Sequence, residues 1–88
     1  MMIVVTYVAA DGSLLRRSVN TAARHDGPVW EGLVQRAALD FPPAYRPAAG
    51  RAVYHVRAGE QAVLVAEDDL IGPLRELVAA VLSEGEGR

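Results

Sequence analysis

The chain has 88 residues, which allows one compact domain and excludes a second. It is 51% hydrophobic and contains no cysteine, so packing must hold the fold, and disulfides, thiolate metal sites and a cysteine nucleophile are excluded. The formal net charge is −2, which argues against general nucleic-acid binding because that function depends on a basic surface.

The first part of the chain predicts a β-hairpin. Residues 3–8 are rich in β-branched side chains and apolar at nearly every position, which is typical of a buried central strand. An Asp11-Gly12 turn follows, and "LLRRSVN" supplies the second strand. Because side chains alternate along a strand, we expect Arg16 and Arg17 on opposite faces. One of them therefore points towards the side that helices cover, or lies at its rim.

A helix is predicted after this hairpin. Gly27 and Pro28 are typical of a helix start, and one apolar helical face follows at Trp30, Leu33, Val34, Ala37 and Phe41. Two prolines at 42 and 43 are expected to end it, and residues 44–50 to form an irregular connector. We expect Trp30 to anchor the core.

The second part repeats the order of strands and helix. "AVYHV" and "QAVLVA" flank "RAGE" and predict a second hairpin, and apolar residues at helical spacing from Leu70 to Leu82 predict a second helix. Glu67, Asp68 and Asp69 precede that helix, where carboxylates favour the exposed amides of its first turn. Residues 1–83 are predicted to form the single domain and residues 84–88 a flexible polar tail.

The chain shows no pattern typical of an enzyme. His25 falls in a predicted loop and His55 in a strand, and neither is paired locally with a serine in a nucleophile motif. The histidines and acids do not match the spacing of zinc or calcium ligands, and glycines occur singly rather than in a phosphate-binding loop. We therefore predict a non-catalytic protein without cofactor or metal.

No segment predicts secretion or membrane insertion. The N-terminus lacks a basic leader and fits a strand better than a signal peptide. The apolar run "LVAAVL" is far shorter than the roughly 18 residues that span a bilayer. The expected location is the cytoplasm, without a membrane or nucleic-acid partner.

Two opposed charge groups are the main functional signal. Arg16 and Arg17 form a candidate basic contact on the second strand, and a candidate acidic contact comprises Glu60, Glu67, Asp68 and Asp69. A domain with a basic patch on one side and an acidic patch on another can associate head to tail, because such an interface need not close. The same residues are equally compatible with solvated strand charges and a helix cap.

The segments "VVTYVAADGSLLRRSV", "WEGLVQRAALDF" and "YHVRAGEQAVLVAEDDL" together resemble the Phox-and-Bem interaction domain, a ubiquitin-like β-grasp scaffold module. The resemblance covers residues 3–70. It matches Arg16 and Arg17 to the family's arginine pair on the second strand, and an acidic motif to Tyr54, Gly59, Glu60, Leu64, Glu67, Asp68, Asp69 and Leu70. The chain departs from the family pattern at three places. Val56 and Ala58 stand where the acidic motif has its first two aspartates, and Val5 stands where the first strand has a lysine. No final strand is expected after the second helix.

We thus predict an α+β protein of β-grasp type, with a four-stranded, mainly antiparallel sheet and two helices. Its expected role is an interaction or adaptor module that binds another protein or itself, as a dimer or head-to-tail oligomer, through the charge groups and a sheet edge. One alternative is a small ligand-binding or enzymatic accessory subunit with a pocket near Tyr54 and His55. Another is a ubiquitin-like accessory protein of a bacterial secretion system. A ubiquitin-like modifier is disfavoured, since Glu86 separates Gly85 from Gly87 at the C-terminus.

Overall fold

The computed structural model describes residues 1–39 and 50–87, and of Gly87 only the backbone. Two hairpins each lead into a helix, and a short fifth strand ends the described chain. The strands are β1 (Met2–Val8), β2 (Leu14–Asn20), β3 (Val53–Ala58), β4 (Gln61–Ala66) and β5 (Glu86–Gly87), and the helices are α1 (Gly27–Ala37) and α2 (Gly72–Glu84). Short 3₁₀ helices span Thr21–Ala23 and Glu67–Asp69.

The sheet has the order β4-β3-β1-β2-β5, and every neighbouring pair is antiparallel. β1 lies at its centre, as predicted. The two hairpins meet where β1 pairs with β3, with Val5 opposite Val56. The predicted α+β order, with an antiparallel sheet of four long strands and two helices in a ubiquitin-like, β-grasp-type arrangement, is confirmed.

Both helices pack on one face of the sheet, which we call the covered face. Alternation places every second strand residue on this face, and those residues form the core with apolar side chains of the helices. The sheet contributes Ile3, Val5, Val19, Val56, Ala58, Val63 and Val65, and the helices contribute Trp30, Val34, Leu74, Leu77, Val78 and Val81. The opposite face, which we call the open face, is not covered by either helix.

The first helix begins at Gly27 as predicted, and its predicted apolar face is buried at Trp30 and Val34. It ends at Ala37, because Ala38 adopts a left-handed conformation with φ of 52° and caps the helix by donating its amide to the Gln35 carbonyl. The predicted contribution of Phe41, the prolines at 42 and 43 and most of the expected connector fall outside the described residues.

The second helix begins later than predicted. Glu67, Asp68 and Asp69 form a separate 3₁₀ helix, and the first turn of α2, from Gly72, contains no acidic residue. Gly72 has a φ of 63° and Pro73 follows it in the first turn, so this pair redirects the chain and starts the helix. The interpretation of the three acids as a cap of α2 is therefore wrong.

The C-terminal residues also differ from the prediction of a polar tail without a final strand. Helix α2 extends to Glu84, and β5 pairs with Arg17 and Ser18 on the outer edge of β2. Gly85 permits this return, since a Cβ there would lie 2.5 Å from the Val81 carbonyl oxygen and 3.1 Å from that of Ser18. The free backbone groups of β2 and the absence of a side chain at Gly85 together explain the added strand.

Within residues 1–39 and 50–87, no helix is both long enough and apolar enough to cross a lipid bilayer.

Candidate interaction surfaces

The two adjacent arginines of β2 do not form one patch. Arg17 lies opposite Val5 on the covered face, where it sits half-buried at the rim. Its Nη1 donates to the Arg16 carbonyl oxygen at 2.9 Å. Arg16 lies opposite Thr6 on the open face and is exposed. The expected separation of the pair across the sheet is thus observed, and only Arg16 is available on the open face.

A second arginine joins Arg16 on the open face. Arg57 lies on β3 opposite Val4, and Arg16 lies on β2 opposite Thr6, so β1 runs between them. Their Cα atoms are separated by about 12 Å, from a strand spacing of about 4.8 Å and a rise of about 3.4 Å per residue. Among the described residues neither guanidinium has a carboxylate within 4.0 Å. We call this pair the open-face arginines.

Exposed apolar side chains share the open face with these arginines. Leu14, Leu64 and Met2 are 69%, 47% and 47% exposed. A shallow depression of about 300 Å³ lies beside Arg16 and is lined by Met2, Val4, Arg16, Ser18 and Glu86. The open face can therefore combine apolar contact with charge-assisted hydrogen bonds from each arginine to a separate carboxylate of a partner.

The predicted acidic contact is divided by the length of a strand. Glu60 lies in the two-residue turn before β4, and the Glu67–Asp69 3₁₀ helix follows the other end of β4. Six residues at about 3.4 Å each place these ends roughly 20 Å apart. Asp68 pairs with Arg51 at 2.8 Å. The acids are therefore two separate groups at the ends of β4, and one carboxylate already has a partner.

Strand β4 forms one edge of the sheet. It pairs with β3 on one side, and no strand in residues 1–39 or 50–87 pairs with its other side. Its sequence, "QAVLVA", contains neither a charge nor a proline. Proteins commonly protect exposed edges with charges, prolines or bulges, and none of these occurs within β4.

Tyr54 and His55 do not share a pocket wall. Adjacent strand residues point to opposite faces, and Tyr54 packs on Tyr7 with ring centroids 4.9 Å apart, towards the covered face. Burial raises the pKa of the Tyr54 phenol, and the nearby Glu67 carboxylate raises it further. His55 lies opposite Thr6 on the open face. The geometry gives no support to joint action of these two residues.

A polar cluster at the start of α1 was not foreseen from the sequence. The Arg24 guanidinium donates two hydrogen bonds to the Asp26 carboxylate, at 2.7 and 3.1 Å, and the Trp30 Nε1 donates a third at 3.1 Å. Arg24 also lies over the Trp30 ring, 5.2 Å from its centroid. The hydrogen bonds from Arg24, together with the one from Trp30, lower the pKa of the Asp26 carboxyl group to about 2. The spacing of Asp26, four residues before a tryptophan in a helix, is the only sequence signal for this cluster.

The Arg24 cluster also connects the two helices. Arg24 also approaches Glu84 at the end of α2, at 3.8 Å, so it links the start of one helix to the end of the other. In the described part of the chain, no group of three histidine or acidic side chains is placed to hold a metal ion.

No family model, no curated protein and no solved structure matches the chain in comparisons of its sequence and fold. The geometry of the chain itself is therefore the basis for a functional proposal.

Proposed function

We propose that this chain is a non-catalytic protein–protein interaction module, an adaptor whose open sheet face binds an acidic surface on another protein or on a second copy of itself. The observation that carries this proposal is the pair of open-face arginines, Arg16 and Arg57, which have no carboxylate partner among the described residues. An exposed ion pair contributes only about 0–1 kcal/mol. Binding must therefore combine both arginines with the apolar side chains around them.

A protein partner fits this face better than a nucleic acid. Single-stranded nucleic acids are bound by stacking of bases on aromatic side chains, together with a basic groove. Tyr7 and Tyr54 pack on each other towards the covered face, so they supply no stacking platform beside Arg16 and Arg57. The net charge of −2 also works against a polyanion.

A second copy of the chain offers one suitable acidic surface. The Glu67–Asp69 3₁₀ helix is exposed, and Ile71, two residues after it, is 72% exposed. This segment thus presents carboxylates beside an apolar side chain, which complements arginines beside exposed leucines. Docking of this segment on the open face of the next copy is heterologous and gives a head-to-tail assembly.

Light scattering across protein concentration, at low and high salt, tests the proposal. The solution mass should grow with concentration and fall in high salt, because salt screens exposed charge pairs. A fixed mass that ignores salt would instead indicate an apolar or sheet-edge interface. A monomer mass at every concentration would exclude the second copy as the partner.

The two arginines of β2 provide a matched pair of variants for this experiment. Arg16→Glu places a negative charge on the open face and should lower the association constant at least about tenfold, as should Arg57→Glu. Arg17→Glu makes the same chemical change one residue away, on the covered face, and should leave association nearly unchanged. Equal effects at Arg16 and Arg17 would contradict the assignment of the open face.

A further inference from the structure

The outer edge of β4 offers a second and chemically different surface. The strand is six residues long, carries no charged residue and lies at the end of the sheet order, and no strand within residues 1–39 and 50–87 pairs with its outer side. An edge of this kind binds an extended segment through main-chain hydrogen bonds. Acidic residues stand at both of its ends, with Glu60 before it and Glu67 after it.

The turn before β4 determines which backbone groups face outwards. Gly59 and Glu60 form a two-residue turn that is closed by the pair Ala58 and Gln61, and Gly59 has a φ of 61°, as a type II′ turn requires. In such a hairpin the closing residues bond to each other, and bonding to the partner strand then alternates along the strand. The amide and carbonyl groups of Ala62 and Leu64 therefore point away from β3, towards the outer edge.

A second copy of the chain does not fit this edge. If two β4 strands paired antiparallel, Glu60 of each copy would lie beside the Glu67–Asp69 segment of the other. If they paired parallel, Glu60 would lie beside Glu60 and Glu67 beside Glu67. Both arrangements bring like charges together at each end of the added strand, which costs free energy. The acids at the two ends thus protect the edge against self-pairing.

We propose that the β4 edge binds an extended segment of a different protein, with alternating apolar side chains and a lysine or arginine at each end. The apolar side chains would lie beside Leu64, which is 47% exposed on the open face. The basic ends would lie beside Glu60 and Glu67. This inference rests on the proposed function, since it assumes a protein partner, but it uses a surface distinct from Arg16 and Arg57.

Two synthetic peptides test this edge. Both alternate valine and threonine over eight residues, and one carries lysines at its ends while the other carries glutamates. An NMR titration of the full chain should show binding of the lysine-ended peptide at least about tenfold tighter than that of the glutamate-ended peptide. The amides of Ala62 and Leu64 should become protected from hydrogen exchange. Equal binding of both peptides, or no binding of either, would overturn the proposal.

Substitutions at Ala62 separate the edge from the open face. Ala62→Pro removes one outward-facing amide and should abolish peptide binding, and Ala62→Val retains that amide and should bind as the parent chain does. Arg16→Glu should leave peptide binding unchanged. Peptide binding that survives Ala62→Pro but is lost in Arg16→Glu would refute the edge and support the open face alone. Because a proline can weaken the strand itself, the amide spectrum of the variant must first show an intact sheet.

A charge reversal gives an independent test that does not depend on a proline variant. Glu60→Lys would bring a lysine beside the Glu67–Asp69 segment of an antiparallel second copy, so this variant should gain a dimer in light scattering. The same reversal at Glu31, which is exposed on α1, should not. If Glu60→Lys and Glu31→Lys had the same mass at all concentrations, the acidic ends would not be what prevents self-pairing of the β4 edge, and the proposal would fail.

Discussion

The two faces of the sheet differ in how deeply their side chains are buried. On the covered face, Ile3, Val5 and Val56 are 0% exposed, and side chains of both helices complete their packing. On the open face, Leu14 and Leu64 remain 69% and 47% exposed, and two arginines lack carboxylate partners among the described residues. The covered face stabilises the fold, and the open face carries the surface that we propose binds a partner. The contrast teaches that neighbouring residues of one strand serve different purposes.

The largest expected effect lies within the helix layer of the covered face. Trp30 is 2% exposed, donates to Asp26 and lies under Arg24. Trp30→Ala should lower the free energy of unfolding by about 3–5 kcal/mol, which is enough to unfold a domain of this size. Chemical denaturation followed by circular dichroism measures this loss. A loss below about 1 kcal/mol would show that the helix layer does not depend on the tryptophan.

A pair of neighbouring residues on β4 tests the difference between the faces directly. Val63 is 4% exposed on the covered face and Leu64 is 47% exposed on the open face. Val63→Ala should cost about 1.5–3 kcal/mol of unfolding free energy, and Leu64→Ala well under 1 kcal/mol, although leucine loses the larger side chain. Urea unfolding of the two variants gives both values. Comparable losses would mean that the open face is packed in solution.

Two glycines of α1 extend the same contrast between packed and open positions. A Cβ at Gly27 would lie 2.5 Å from the Thr21 carbonyl oxygen, whereas a Cβ at Gly32 would meet nothing within 4 Å. Gly27→Ala should therefore destabilise the protein by about 1–3 kcal/mol. Gly32→Ala should stabilise it by about 0.5–1 kcal/mol, because alanine is the better helix former. Thermal unfolding of both variants should show shifts of opposite sign, and shifts of the same sign would contradict the close approach at Gly27.

The smallest expected effect is the pH dependence contributed by Asp26 at the rim of the covered layer. Its pKa is about 2 in the folded protein against an ordinary value of 3.8. A carboxyl whose pKa is lowered by folding stabilises the fold above its unfolded pKa, so this contribution is present above pH 3.8 and is lost as the pH falls towards 2. Asp26→Asn should reduce stability near neutral pH and flatten its decline in acid.

Denaturant unfolding at several pH values measures the decline of the free energy of unfolding in acid. The flattening in Asp26→Asn should be partial, since hydrogen bonds from Ser13 also lower the pKa of Asp11. An acid profile of Asp26→Asn that parallels the parent chain would show that the bonds from Arg24 and Trp30 do not persist in solution.

Much of the fold was accessible from the sequence because its signals are local. The β-branched run of β1, the Asp11-Gly12 turn and the proline after Gly27 each specify backbone geometry within a few residues, and the order of the elements follows from them. The burial of Trp30 was likewise predicted from helical spacing. At residues 67–73 two local sequence signals predict different starts for the second helix. The acids suggested a helix start, but Gly72 and Pro73 place the start of α2 after them.

The candidate surfaces were only partly accessible from the sequence. Alternation alone separated Arg16 from Arg17, but no local pattern joins Arg16 to Arg57, which lies 41 positions further along the chain. Their proximity depends on β3 pairing with β1, and many strand orders are compatible with the same sequence pattern. The outer position of β4 likewise depends on strand pairing. Because β4 lies at the end of the sheet order, an apolar strand forms an edge of the described sheet.

Local sequence patterns were sufficient to predict a small α+β fold, the order of its strands and helices, the helix-facing residues and the opposite faces of Arg16 and Arg17. These follow from turn chemistry and from the repeat periods of strands and helices, which act over a few residues. The three-dimensional pairing of the strands was needed to show that Arg57 joins Arg16 on the open face and that Glu60 lies a strand length from Glu67. It was also needed to show that β4 is an edge among the described strands and that Glu86 and Gly87 pair with β2. Those features depend on which strands pair, and pairing is set by burial summed over the whole core.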